Sequence, residues 1–355
     1  MSLKEMILKK IYTLVAIWKY KKAKNKGCTV EKKEWLDQWT DTRLTWKQIG
    51  YLYHVPYLMF QYPPNLRTPF LNTNNMGFRG KEDYSYLPSV VPDSNYRYIV
   101  MLGNSSVFGA LSTSDEQCIS SHLERILNNC YKAGKRFKVL NLGVGFYNSF
   151  QELISFMLYG VKYKPEFVVT FDGFIDIIMA LQNKNVPLTS ANFYYTKEIF
   201  DKVNLKDLKL ANTPSFPLRV SYNTDWDKGS KDIESDVIEL YKRNLGLICL
   251  IAGDNKIRTI LTLQPLQVKE DGHFVWWRQR EKLEPIYSRL PTAIKEVAER
   301  YNSGFINFQE IFSTNKAYND YFSHTDPVHL IDKGQEIVAQ YIFEKIRKKL
   351  ESDSI

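Results

Sequence analysis

Five short apolar runs constrain the fold of this chain more than any other feature: "YRYIVML" (96–102), "FKVLNL" (137–142), "EFVVTF" (166–171), "IRTILTL" (257–263) and "GFINF" (304–308). Each is close to continuously apolar rather than alternating, the pattern of a strand buried on both faces. Between them lie stretches of helical character: "DEQCISSHLERILNN", "SFQELISFMLYGVK", "DVIELYKRNLGLICL" and "REKLEPIYSRLPTAIKEVAERY". Strands that alternate with helices imply a parallel sheet, because parallel neighbours need a crossover, and helices then cover both faces. The amphipathic "DKGQEIVAQYIFEKIRKKL" closes the chain.

The rest of the sequence decorates that unit. Residues 34–80 carry dense aromatics and the Pro63-Pro64 break, which favours an irregular segment packed on the main domain, residues 81–350. Residues 180–235 repeat no unit of the pattern and are rich in Asn, Pro and Ser, so they read as an insertion over the strand ends, a place for a lid or a substrate wall.

The formal charge of +9 is concentrated at the start: residues 1–33 hold ten Lys against Glu5 and Glu31. The remainder is nearly neutral, which excludes a basic nucleic-acid-binding domain. Leu3, Met6, Ile7, Ile11, Leu14, Val15 and Trp18 recur at helical spacing with the lysines mostly off that face, a basic amphipathic helix. Peripheral membrane contact through residues 1–26, docking on its own domain or a partner, and a signal or anchor all remain open. The four cysteines are scattered without a CxxC pair, so they read as reduced thiols, and a cytoplasmic protein, peripheral at the inner face of a membrane, is expected.

Two places can carry chemistry. After the first strand comes Gly103-Asn104-Ser105, and a serine on a tight strand-to-helix turn presents its hydroxyl beside backbone N–H groups, although a helix cap explains it equally well. Near the other end "SHTDPVHLIDKG" sets Asp326 three residues before His329, in a loop ahead of the last helix, so one short segment can deliver a base and the carboxylate that orients it. His324 is the competing imidazole, at poorer spacing from Asp326. "FVWWRQR" (274–280) reads as packing or as a sugar- or membrane-contact patch. Asp172 and Asp176 lack further ligands at metal spacing, so no metal is expected.

"VMLGNSSVFG", "VLNLGVGFYNSFQEL", "VVTFDGFIDI" and "DPVHLIDKGQEIVAQYI", in that order on the strand ends, resemble the four sequence blocks of the SGNH (GDSL-like) hydrolases. "NNMGFRG" (74–80) and "LTLQP" (261–265) resemble a subgroup, so the likeness spans roughly residues 72–350. The resemblance implies a three-layer α/β/α, flavodoxin-like fold with a five-stranded parallel sheet, and cofactor-free ester or acyl chemistry. It implies Ser105 as nucleophile, His329 as general base and Asp326 as its orienting group. The oxyanion would be held by the Ser105 N–H, the N–H of Phe146 and a block-III asparagine side chain. Asn104, Ile175 and Asp176 would then lie against substrate.

Three positions depart from the pattern. Asn104 replaces an aspartate. Phe146 replaces a glycine, which leaves a backbone donor but fills space and restricts positive φ. Ile175 stands where the asparagine would be and can donate nothing, and Asn148 is a substitute donor unless it simply caps the next helix. A serine acyl hydrolase acting on an acylated carbohydrate or lipid-linked ester is therefore expected. The alternatives are an O-acyltransferase with the same three residues, or an impaired relative that binds glycans or serves in an assembly.

Overall fold

In the computed structural model the described residues are 52–352, apart from 54, 69–70, 86–90, 184–230, 269–270, 275–279, 316–317 and 324–325, together with 17, 18 and 21. Most of the expected basic N-terminal helix, most of the 180–235 insertion, His324 and most of "FVWWRQR" thus lie outside the described residues. The five apolar runs all become strands of one parallel sheet. β1 (Tyr96–Gly103) is flanked by β2 (Arg136–Asn141) and β3 (Phe167–Phe171), with β4 (Arg258–Leu263) and β5 (Gly304–Asn307) beyond β3. The order β2-β1-β3-β4-β5 is the flavodoxin-like one, and its direction reverses between β1 and β3, where ligands bind at the carboxyl ends of the strands.

In chain order the helices are α1 (Ser105–Phe108), α2 (Ile119–Cys130), α3 (Ser149–Ser155), α4 (Phe174–Gln182), α5 (Ile233–Asp254), α6 (Arg280–Arg300), α7 (Phe308–Ser313) and α8 (Asp332–Ser352). Successive strand residues point to opposite faces, and the core divides accordingly. Ile99, Met101, Val169 and Phe171 pack with Leu123 and Leu127 of α2 and Val338 and Ile342 of α8. Val100, Leu102, Val168 and Leu261 pack with α3, α4, α5 and α6 through residues such as Leu153, Ile178, Leu245 and Leu290. Helices therefore cover both faces, the three-layer α/β/α arrangement.

Two elements differ from the sequence expectation. "FIDIIMALQ" forms α4, buried almost all round, and an all-apolar helix has no stripe for periodicity to reveal. Asp326 and His329 sit not in a loop but on β7 (Asp326–Leu330), paired antiparallel with the two-residue β6 (Phe322–Ser323). A pair this short leaves no pattern to read.

The described part of the aromatic segment packs on the α3 side of the sheet. Leu58, Phe60, Tyr62, Leu71 and Phe78 are buried in the same cluster as Val100 and Leu102. Arg79 ties it down: its guanidinium meets Asp115 at 2.8 Å and donates to the Phe108 and Gly109 carbonyls at the end of α1. Those carbonyls have no partner inside so short a helix, and the arginine supplies one.

Candidate active site

Ser105 is the first residue of α1, directly beyond β1. The turn is tight enough that a Cβ on Gly103 would collide with Val107 and approach the Phe171 carbonyl to 2.6 Å, so only glycine fits there. Asn104 caps α1 by accepting the Ser106 N–H at 2.9 Å. Its amide donates to Gln264 Oε1 at 2.8 Å, and Gln264 Nε2 donates to the Val328 carbonyl at 3.3 Å. Asn104 is 1% exposed, so it does not face substrate as expected; it couples the nucleophile turn to the end of β4 and to β7.

On β7 the pieces converge. His329 Nε2 lies 2.6 Å from Ser105 Oγ, and His329 Nδ1 lies 2.6 Å from Asp326 Oδ2. The carboxylate accepts a hydrogen bond from Nδ1–H and so fixes the proton on Nδ1, which leaves Nε2 as acceptor for the serine hydroxyl. Asp326 Oδ1 also accepts the Val328 and His329 N–H groups, at 2.9 and 3.2 Å. Burial opposes ionisation of Asp326, but the His329 charge and these hydrogen bonds outweigh it and hold the carboxyl down at about 2. Burial pulls the His329 imidazole down while Asp326 pulls it up, and the net result lies above the ordinary value. A hydroxyl, a base and a fixed carboxylate in this order can carry nucleophilic acyl chemistry.

The loop after β2 forms the opposite wall. A Cβ on Gly145 would collide with the Tyr62 hydroxyl and stand 3.8 Å from Ser105 Cβ, so this loop borders the serine directly. Phe146 follows at φ +65°, left-handed backbone that favours glycine, with its ring 54% exposed. Among the described residues neither the Ser105 N–H nor the Phe146 N–H has a hydrogen-bond acceptor. Asn148 caps α3: its side chain accepts the Gln151 N–H at 3.1 Å in a capping box with Gln151.

The two block-III residues have tasks other than the expected contact with substrate. Ile175 is 5% exposed and belongs to the apolar core. The half-buried Asp176 accepts the Ser149 N–H at 3.1 Å and the Ser149 hydroxyl at 2.5 Å, bracing α3 against α4. Burial pushes its carboxyl up to about 7 against those bonds. Beneath it lie two fully buried carboxyls. Burial pushes Glu152 well up, and the neighbouring Asp172 reinforces the shift. Glu152 therefore keeps its proton above the ordinary carboxylate range, and Asp172 accepts the Tyr241 hydroxyl. Among the described residues no group of three or more His, Cys, Asp or Glu could hold a metal ion.

Sequence reasoning missed Gln264 and Tyr62. "LTLQP" was visible as a motif without a role for its glutamine, and Tyr62 carries no local signal because its place in the site depends on a contact across more than eighty residues.

No protein-family model matches the sequence, and no curated protein matches it. Solved structures similar to this chain include a lipase/acylhydrolase from Enterococcus faecalis, at 16% identity over 71% of this chain and 96% of that one, TM-score 0.45. They also include a GDSL-like lipase from Bacteroides thetaiotaomicron, at 17% identity over 71% and 89%, TM-score 0.41. An acetyl xylan esterase is similar at 14% identity over 70% and 99%, TM-score 0.45.

Proposed function

We propose that this chain is a serine ester hydrolase of the SGNH type, acting through a covalent acyl-enzyme on an acylated carbohydrate or lipid-linked ester. The observation that carries the reading is the unbroken link from Ser105 Oγ through His329 to Asp326, with both contacts at 2.6 Å. In the first half-reaction Ser105 Oγ attacks the ester carbonyl carbon while its proton passes to His329 Nε2. The negative charge that develops on the carbonyl oxygen is taken by the Ser105 and Phe146 N–H groups. As the tetrahedral intermediate collapses, His329 returns the proton to the departing alkoxide, and the alcohol leaves. Water then attacks the acyl-Ser105 carbonyl, giving its proton to His329. The carboxylic acid departs and Ser105 is regenerated.

Contact of residues 1–26 with a membrane surface belongs to the same proposal and rests on their charge pattern. No helix among the described residues is long and apolar enough to cross a membrane.

The test is reaction with a fluorophosphonate probe read by intact mass, beside Ser105→Ala and His329→Ala. Labelling of the wild type alone is expected, followed by turnover in a screen of acetylated sugars and short acyl esters. A folded wild type that neither labels nor turns over any ester would overturn the reading in favour of a glycan-binding or assembly role.

A further inference from the structure

The oxyanion of a tetrahedral intermediate can accept three hydrogen bonds, and the Ser105 and Phe146 N–H groups supply two. Side chains around the loop offer little more. Ile175 has no donor and Asp176 is an acceptor already held by Ser149, while Asn148 spends its side-chain oxygen, not its amide N–H, on the cap of α3.

The aromatic segment supplies another group. The chain at residues 58–62, which leaves a turn with Met59 at φ +69°, is fastened to this loop and its helix through residues 58, 60 and 62. Gln151 Nε2 donates to the Leu58 carbonyl at 2.8 Å, and the Tyr147 hydroxyl donates to the Phe60 carbonyl at 2.8 Å. The Gly145 backbone N–H donates to the Tyr62 hydroxyl. The Tyr62 ring is 3% exposed and tilted against Phe108 of α1, with ring centroids 4.5 Å apart. Its hydroxyl is thus wedged between the nucleophile's helix and the loop, on the Gly145 face that borders Ser105. Gly145 has to be glycine because the hydroxyl occupies the space a side chain would need.

We propose that the Tyr62 hydroxyl is the third oxyanion donor of the Ser105 site, delivered from outside the sheet-and-helix domain. The proposal rests on the ester-hydrolase reading above. A tyrosine can accept the Gly145 N–H with an oxygen lone pair and donate its own proton to a ligand. Burial pushes the phenol up, so the proton is retained throughout the working range. The ring is fixed before substrate arrives, the condition under which such a donor favours the transition state over the ground state. The same loop then requires Phe146 in left-handed backbone. With the Gly145 N–H given to Tyr62, the next N–H in the chain is the one that faces the acyl oxygen.

The test is Tyr62→Phe, which removes the hydroxyl and keeps the ring, assayed with p-nitrophenyl acetate beside wild type, Ser105→Ala and Gln151→Ala. Gln151→Ala cuts a neighbouring fastener of the same segment and leaves the hydroxyl in place. For Tyr62→Phe we expect kcat to fall about 10²–10³-fold, the usual loss for one oxyanion donor, with KM within about threefold of wild type. Gln151→Ala should lose far less. Unchanged kcat in Tyr62→Phe, or an equal loss in Gln151→Ala, would overturn the Tyr62 role while Ser105-dependent turnover left the hydrolase reading standing. Absence of Ser105-dependent turnover in the wild type would overturn both.

Discussion

Phe146 offers a test that separates backbone from side chain. Its φ of +65° is a region where an L-residue pays about 1–2 kcal/mol and glycine pays nothing. Glycine has the freer unfolded chain, a disadvantage of about 0.5–1 kcal/mol relative to alanine. Phe146→Gly should therefore be more stable than Phe146→Ala by about 0.5–1 kcal/mol, the reverse of the order at an ordinary position. Both variants lose the same ring, and because that ring is 54% exposed the loss common to them is about 1 kcal/mol, roughly half the value of a fully buried phenylalanine. Phe146→Gly should then lie within about 1 kcal/mol of wild type, since strain relief offsets the lost packing. Urea unfolding with a shared m-value measures all three. Alanine as stable as glycine, or more so, would refute the left-handed conformation and with it the placing of the Phe146 N–H toward Ser105.

Two further outcomes follow from the buried charges. In Asp326→Asn the carboxylate that holds the His329 imidazole up is gone and burial acts alone, so the acid limb of the pH–rate profile should move to lower pH while the plateau falls roughly 10⁴-fold; a limb that moves upward or stays would contradict the ion pair. Glu152 is an acid raised on folding, so between the ordinary carboxylate range and its folded value the native state holds a proton that the unfolded chain has released, and stability falls as pH rises through that window. Glu152→Gln removes this dependence, so its unfolding free energy should decline less from pH 6 to 9, by up to about 1.4 kcal/mol per pH unit; parallel slopes in urea titrations at both pH values would refute the proton retained on Glu152.

Much of the site was legible in local sequence. Ser105 was readable because a strand running into a small-residue turn places its next residue at the sheet's carboxyl edge. Asp326 and His329 were readable because their spacing is short. Asn104, Ile175 and Asp176 were harder, since a polar or apolar letter beside a motif does not say whether the side chain turns to the cleft or into the protein. Burial decides that, and it put Ile175 in the core and gave Asn104 and Asp176 to Gln264 and Ser149.

The sequence by itself determined the five apolar strands, their alternation with helices and the serine, histidine and aspartate of the candidate site, because apolar runs and turn residues are read from neighbours a few positions apart. Tertiary structure alone decided that Asp326 and His329 ride on a short hairpin, that α4 exists, and that Tyr62 stands beside Gly145. Each of these depends on contacts between distant segments, whose cost in chain entropy is met only when the whole core forms.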